Sequence, residues 1–265
     1  MNIKPTALIT GATSGIGAEY ARSMAIGGYN LIITGRRSEK INALAAELSQ
    51  SYGCDVEVII AELSDATQVD ELIERIKERD IDLLVNNAGF GTTKFFYQEA
   101  LELQEKMIAA HILAHMKITY AILPEMIKRE AGVIINVSSS GAFLPSPKTA
   151  TYSGTKAFLR AFTEGLHYDL ENTGVQVQVV CPGLTKTDMH TRLGISDEYT
   201  PDWGPFQWIS PQEVVECSLG CLKKKKVLCI PGRMTKMQVI LRYLVPESIY
   251  YRTTSYLFRK YGWTD

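Results

Sequence analysis

The sequence predicts an α/β fold: one open, doubly wound parallel sheet of about seven strands with helices on both faces. Short runs rich in valine, isoleucine and leucine recur along the chain, as strands covered on both faces require. Amphipathic stretches of helical period separate them and supply the crossovers that parallel neighbours need. Small or polar residues close these runs, at the carboxyl edge where open parallel sheets bind ligands.

Residues 6–10 form the first strand and run into Gly11-Ala12-Thr13-Ser14-Gly15-Ile16-Gly17, followed by a helix over 18–27. Strand, glycine-rich turn and helix make an anion site: glycine lets backbone N–H groups approach, and the helix N-terminus adds partial positive charge. The spacing is G-x-x-x-G-x-G rather than G-x-G-x-x-G, so the steric needs of a tight turn alone also explain these glycines. A second strand, 30–34, completes a right-handed β-α-β unit. Gly35, Arg36 and Arg37 follow, where an acid would hold the adenosine ribose of NAD and an arginine the extra phosphate of NADP. A guanidinium offers forked, charge-assisted donors to phosphate, so NADP(H) is expected in preference to NAD(H).

Ser38 is the expected N-cap of a helix over 38–52, with Ile41, Leu44, Ala45 and Leu48 on its apolar face. Strand three covers 55–60. After Glu62-Leu63-Ser64-Asp65 comes a helix carrying Val69, Leu72, Ile73 and Ile76 on one face. Strand four, 82–85, ends in Asn86-Asn87-Ala88-Gly89, small and amide-bearing residues suited to a strand end that passes close to a flat ligand. A long helical region spans 101–129, with Pro124 bending it or starting a new helix. His111 and His115 are spaced i, i+4 within it but lack the glutamate and third ligand of a zinc site, so one is expected to face inward and no metal is expected. Strand five, 132–137, ends in Ser138-Ser139-Ser140. A helix over 149–172 turns Phe158, Leu159, Phe162, Leu166 and Leu170 inward, strand six (175–180) ends in Cys181-Pro182-Gly183, and strand seven is expected at 227–230 after an exposed lysine run.

A length of 265 residues suits a single domain over 1–265. Lys+Arg 28 against Asp+Glu 29 leaves a net charge of -1, so no global field recruits nucleic acid or an anionic membrane. Cys54, Cys181, Cys217, Cys221 and Cys229 lack the spacing of a disulfide framework or zinc ribbon; Cys217 and Cys221 share a helical face and read as core or surface residues. The first strand follows the N-terminus without a leader's separate apolar segment, and no run of about 18 apolar residues occurs. A soluble, cytoplasmic protein is the expectation.

Tyr152-Ser153-Gly154-Thr155-Lys156 puts a phenol and an ammonium one helical turn apart on a shared face. A phenol has a reference pKa of about 10, and a nearby positive charge lowers it, so the pair suits proton exchange. Gly11, Arg36, Asn87, Ser139 and Pro182 all fall on the same carboxyl edge of the predicted sheet, and that convergence is the main sequence argument for a site.

T-G-x-x-x-G-x-G (Thr10 to Gly17), N-N-A-G (Asn86 to Gly89), Ser139, Y-x-x-x-K (Tyr152, Lys156) and P-G-x-x-x-T (Pro182, Gly183, Thr187) occur in order. Over residues 6–189 the chain resembles the short-chain dehydrogenase/reductases, a family of Rossmann-type oxidoreductases. Residues 135–190 are similar to NADP-dependent reductases of lipophilic carbonyls, such as hydroxysteroid dehydrogenases and long-chain ketoacyl reductases. The resemblance implies that Tyr152 is the general acid in reduction and the base in oxidation. It implies that Lys156 holds the nicotinamide ribose and lowers the phenol pKa, that Ser139 orients the substrate oxygen, and that Thr187 contacts the carboxamide. Gly11, Ser14, Gly15, Ile16 and Gly17 are then cofactor contacts at the glycine turn, with Arg36 and Arg37 at the 2′-phosphate and Glu62 and Leu63 beside adenine. Asn87, Ala88, Gly89, Pro182, Gly183 and Thr185 complete the cofactor set.

The chain departs from the family pattern in three places. His111 stands where many members have a relay asparagine, and a histidine, which donates and accepts, could keep such a relay. Glu62 replaces the adenine-contacting aspartate. Ser14 replaces a basic residue, which leaves phosphate selectivity to the two arginines.

Residues 184–210 contain Met189, Leu193, Ile195, Tyr199, Trp203, Phe206 and Trp208. In the fold that the resemblance implies, this stretch is a substrate loop over the nicotinamide, so a small lipophilic ketone, aldehyde or alcohol is the expected partner; rings packed on their own core would have the same composition. The C-terminal extension, 233–265, is basic and aromatic, which suits a subunit contact, a lid or peripheral membrane contact. The resemblance also implies a homodimer or homotetramer. The expected activity is NADP(H)-dependent interconversion of a ketone or aldehyde with an alcohol, the alternatives being an NAD-linked alcohol dehydrogenase and a non-catalytic NADP-binding sensor or scaffold.

Overall fold

The computed structural model describes residues 4–192 and 207–260. Seven parallel strands form one sheet: β1 (Thr6–Thr10), β2 (Asn30–Gly35), β3 (Val56–Ile60), β4 (Leu83–Asn86), β5 (Gly132–Val137), β6 (Val175–Val180) and β7 (Leu228–Cys229). Their order is β3-β2-β1-β4-β5-β6-β7. The winding reverses between β1 and β4, and that switch opens a crevice at the carboxyl ends.

Strand residues alternate between two cores, which explains the unbroken apolar runs. Leu8, Ile32, Leu84 and Ile134 face α3 (Ala66–Ile76), α5 (Ala114–Lys128) and α6 (Ala150–Asp169) through Leu72, Ile118 and Leu166. Ile9, Ile33, Val85 and Ile135 face α1 (Gly15–Ile26), α2 (Ser38–Tyr52) and α8 (Pro211–Leu222) through Tyr20, Leu44 and Val214.

Local expectations shift in four places. Helix α1 begins at Gly15, three residues before the predicted start, so its first turn belongs to the glycine-rich stretch. Arg37, rather than Ser38, occupies the N-cap position of α2, with no side-chain cap. The long helical region breaks at a π-helical turn, Ala109–Leu113, between α4 (Leu101–Ile108) and α5. Pro124 sits inside α5 without ending it, and its missing N–H leaves the carbonyl one turn back, at Tyr120, without its usual helical donor.

The π turn brings both His111 and His115 to 0% exposure, where one inward histidine was expected. Residues Leu101–Lys128 are long and apolar enough to cross a membrane by length and composition. Ala110, Ala114, Ile118, Ile122 and Met126 instead pack this stretch into the core. A short helix, α7 (Asp188–Arg192), lies between β6 and α8, and after β7 come α9 (Arg233–Leu244) and α10 (Glu247–Lys260).

Candidate active site

A cavity of about 920 Å³ opens along the carboxyl ends of the strands. Gly11, Gly15, Arg36, Glu62, Asn87, Ser139, Tyr152, Lys156, Pro182 and Thr187 all line it, so the residues predicted on separate segments do meet.

At one end the glycine turn is pressed against the end of β4. Gly11 has φ +67, and a Cβ there would lie 2.7 Å from Ala88 Cα. A Cβ on Gly17 would lie 2.4 Å from Asn87 Nδ2. Asn87 donates its side-chain amide to the carbonyls of Thr10 and Gly11 at 3.1 and 3.2 Å. Thr10 Oγ1 in turn accepts from the backbone N–H groups of Asn87 and Ala88 at 2.9 and 3.1 Å. The asparagine therefore braces the turn with its side chain. Helix α1 starts at Gly15, and Ser14 makes no side-chain cap bond, so the first-turn amides have no capping side chain. A glycine cradle and an uncapped helix start together fit a dinucleotide phosphate.

The two arginines expected at the 2′-phosphate are held by the protein's own groups. Arg36 Nη1 pairs with Glu62 Oε2 at 2.8 Å. Burial raises the Glu62 carboxyl, but its bonds with Arg36 and Ser64 outweigh that and hold it below the ordinary carboxylate range. Arg37 Nη2 donates to Thr13 Oγ1 and Ser14 Oγ, both at 2.6 Å, and Nη1 pairs with Asp188 at 3.0 Å. Lys40 reaches the same carboxylate at 2.9 Å, and these two partners hold Asp188 below its usual range. Arg37 thus carries a guanidinium to Ser14, where family members often have a basic residue. The sequence could not show this, because the contact joins residues 23 apart.

At the other end Ser139 follows β5, and its Oγ accepts from Gly141 N–H at 3.1 Å. Tyr152 lines the cavity beside it and is half-buried. Burial pushes its phenol above the ordinary value, opposed by the nearby Ser139 hydroxyl. Lys156, 4% exposed, donates to the Val137 carbonyl at 2.9 Å and lies 5.8 Å from the Tyr152 ring centre. Burial lowers its pKa to about 8. The expected lowering of the phenol pKa by the lysine is therefore corrected: in this structure burial dominates both groups and moves them in opposite directions.

His111 also differs from expectation. Its Nε2 accepts from Phe90 N–H at 2.9 Å, so Nδ1 carries the proton and meets Thr155 Oγ1 at 2.9 Å. That hydroxyl donates to the Tyr152 carbonyl at 2.8 Å. Burial, with Lys156 adding to it, holds the imidazole well below its ordinary pKa and hence neutral. Both ring nitrogens are engaged in bracing the loop after β4 and the first turn of α6, which leaves neither for the relay expected of it.

Ser14, Ile16, Leu63, Ala88, Gly89, Gly183 and Thr185 also line the cavity. The Thr185 hydroxyl turns back onto the Gly183 carbonyl at 3.0 Å. Of the predicted substrate loop, Leu193, Ile195, Tyr199, Trp203 and Phe206 lie outside the described residues, Met189 lines the cavity and Trp208 is buried. The remaining wall comes from the C-terminal extension: Gln238, Leu241, Arg242 and Val245 around α9, and Tyr250, Leu257 and Phe258 from α10. Composition had marked this extension as basic and aromatic, with a lid among the readings it allowed.

A family model described as short chain dehydrogenase matches residues 5–197. The serine 3-dehydrogenase of Agrobacterium fabrum is 40% identical over 186 residues, covering 69% of this chain and 73% of that protein. The very-long-chain 3-oxoacyl-CoA reductase of Anas platyrhynchos is 34% identical over 188 residues, 69% of this chain but only 60% of that reductase. A solved short-chain dehydrogenase from Sphingobium yanoikuyae in complex with NADPH aligns with a TM-score of 0.81 at 32% identity, covering 86% of this chain and 88% of that one.

Proposed function

Because the chain belongs to the short-chain dehydrogenase/reductase family, whose members act on alcohol and carbonyl groups, we propose that it is an NADP(H)-dependent reductase of a ketone or aldehyde on a lipophilic molecule. The observation that carries this reading is that Tyr152, Ser139 and Lys156 line one cavity, with Lys156 one turn from the phenol on the same helix. When bound, the nicotinamide nucleotide supplies the hydride in reduction and accepts it in oxidation.

A phenol pushed up by burial stays protonated near neutral pH, which suits a general acid that delivers a proton to the carbonyl oxygen as negative charge develops there. Ser139 orients that oxygen with a second hydrogen bond. Lys156 holds the ribose hydroxyls, and His111 is a positioning residue that fixes the turn bearing Tyr152. Gly11 and Gly15 admit the phosphates, and Gly17 admits the Asn87 side chain that braces the turn. Arg37, supported by Arg36, selects the 2′-phosphate in competition with Asp188 and Glu62. The NADPH-bound structural relative supports this choice of cofactor.

The relatives named for serine and for very-long-chain acyl substrates point in different directions, and the cavity wall supports the second. Leu144, Leu241, Val245, Leu257 and Phe258 favour an apolar substrate. Arg242, stacked 4.4 Å over the Tyr250 ring and unpaired with any acid among the described residues, adds a place for an anionic end on that molecule. On the outside of the extension Ile240, Leu244 and Ile249 are exposed beside Arg252 and Arg259. Such a face suits either a second subunit of a homo-oligomer or an anionic membrane surface, and sedimentation with and without anionic vesicles separates the two.

A panel of aliphatic, steroidal and acyl ketones is to be assayed with NADPH and with NADH. Turnover with NADPH on the bulkier members is expected. Cofactor binding with a wholly silent panel would favour the sensor or scaffold reading, and equal affinity for NADH and NADPH would remove the phosphate role given to Arg37.

A further inference from the structure

Helix α8 and strand β7 bring three thiols together away from the cavity. Cys217 and Cys221 share a face of α8, and Cys229 ends β7 beside them. The three sulfurs all lie within 4.8 Å of one another, and Cys217 Sγ is 3.7 Å from Cys229 Sγ. None of the three lines the catalytic cavity. From the sequence only the first two share a face, and they read as packing residues. The third is supplied by the sheet, twelve residues after Cys217.

The 3.7 Å pair matches a shared ion, and the third sulfur lies within 4.8 Å of both. With metal–sulfur bonds of about 2.3 Å, sulfurs on one ion stand about 3.8 Å apart in tetrahedral geometry and about 4.0 Å in trigonal geometry. A disulfide needs about 2.05 Å, and all three cysteines are free. We propose that Cys217, Cys221 and Cys229 bind one soft, thiophilic metal ion, with copper(I) as the preferred occupant. Three thiolates with no imidazole or carboxylate in the group select a soft ion that accepts three-coordination; zinc would need a fourth ligand from solvent.

The scaffold under the site is fixed. A capping box sets the start of α8: Ser210 Oγ accepts from Glu213 N–H at 3.1 Å, and Glu213 accepts from Ser210 N–H at 2.7 Å. The Tyr20 hydroxyl donates to Ser218 at 2.6 Å, and Ser218 donates to Gln178 of β6 at 2.6 Å, which ties the middle of α8 to the sheet. The N–H groups of Lys224 and Lys226 both donate to the Cys221 carbonyl and hold the end of the helix. Cys229 accepts from Cys181 N–H at 2.8 Å in the sheet. Cys229 is buried while Cys217 and Cys221 are half-buried, which leaves an entry path from solvent. Burial raises the Cys217 thiol, and Lys236 acts against that, so a cation stands near the charge that bound thiolates would carry. Binding releases the thiol protons to solvent, with no change in the oxidation state of sulfur or metal.

The test uses the reduced full-length protein under anaerobic conditions, titrated with copper(I) against a chromogenic copper(I) chelator. One equivalent retained per chain is expected. Cys221→Ala, at a half-buried position, should weaken retention by about tenfold or more while ketone reduction and the circular dichroism spectrum stay as in the wild type. Cys217→Ser should weaken it likewise and serves if the first variant fails to fold. The proposal is overturned if the wild type retains no copper, or if the folded variants retain as much as the wild type. Formation of a Cys217–Cys229 disulfide on air exposure, read as the loss of two titratable thiols, together with no copper retention, equally overturns it.

Discussion

Tyr152 and Lys156 lie one turn apart on α6, yet burial drives their acidities in opposite directions, raising the phenol and lowering the ammonium to about 8. The folded lysine therefore binds its proton less tightly than the unfolded chain does. Between about pH 8 and 10 the unfolded state holds more protons, so this group makes stability rise with pH across that window, and below it the full cost of a buried charge is present. Lys156→Met is expected to stabilise the fold near pH 7 by up to about 3 kcal/mol, less the bond to Val137, while turnover is lost. Urea denaturation at pH 7 and pH 9.5 checks this: the gain should shrink at the higher pH, and a destabilised variant at pH 7 contradicts it. The identities of Tyr152, Ser139 and Lys156 were legible because i, i+4 spacing and a strand end are local facts. The direction of the phenol shift was not legible, because desolvation comes from β5, α6 and the loop after β4 folding around it.

Among the elements, the glycine turn was legible as an anion cradle but its bracing was not. Asn87 reaches it from a strand 77 residues away, filling the space that Gly17 leaves open. In Gly17→Ala the new Cβ would stand 2.4 Å from Asn87 Nδ2 and 2.5 Å from the Gly11 carbonyl, so one must move. A loss of about 1–3 kcal/mol in stability is expected, with NADPH binding weakened further than stability accounts for. Calorimetry and fluorescence titration on the same preparation check both. The π turn escaped sequence reading for the opposite reason. Its apolar positions continue the helical pattern on either side, so one wide turn leaves no mark in composition, and Pro124 does not start a new helix but lies inside α5.

For the whole molecule, strand order and the carboxyl edge follow from the alternation of apolar runs and crossovers, and residues that the sequence marks at that edge line one cavity. The other half depends on how the chain returns after β7. Helices α9 and α10 come back over the cavity and supply Leu241, Arg242, Leu257 and Phe258, a placement that no local pattern encodes. Removing residues 247–265, with α10 among them, should therefore raise KM for long or bulky ketones far more than for short ones and leave NADPH affinity unchanged. Equal effects on both substrate classes, measured by steady-state kinetics, contradict a wall role for this helix.

The central claim is that Tyr152 protonates a carbonyl oxygen while a hydride from NADPH reaches the neighbouring carbon. Its most direct test is isotope transfer. The protein is incubated with NADPH deuterated at the transferring position and a bulky ketone, and the alcohol product is weighed by mass spectrometry. The account predicts one deuterium on the carbinol carbon from the wild type, and from Tyr152→Phe a rate lower by about 10²–10⁴ with NADPH binding retained. An unlabelled alcohol, or a phenylalanine variant as fast as the wild type, would contradict it.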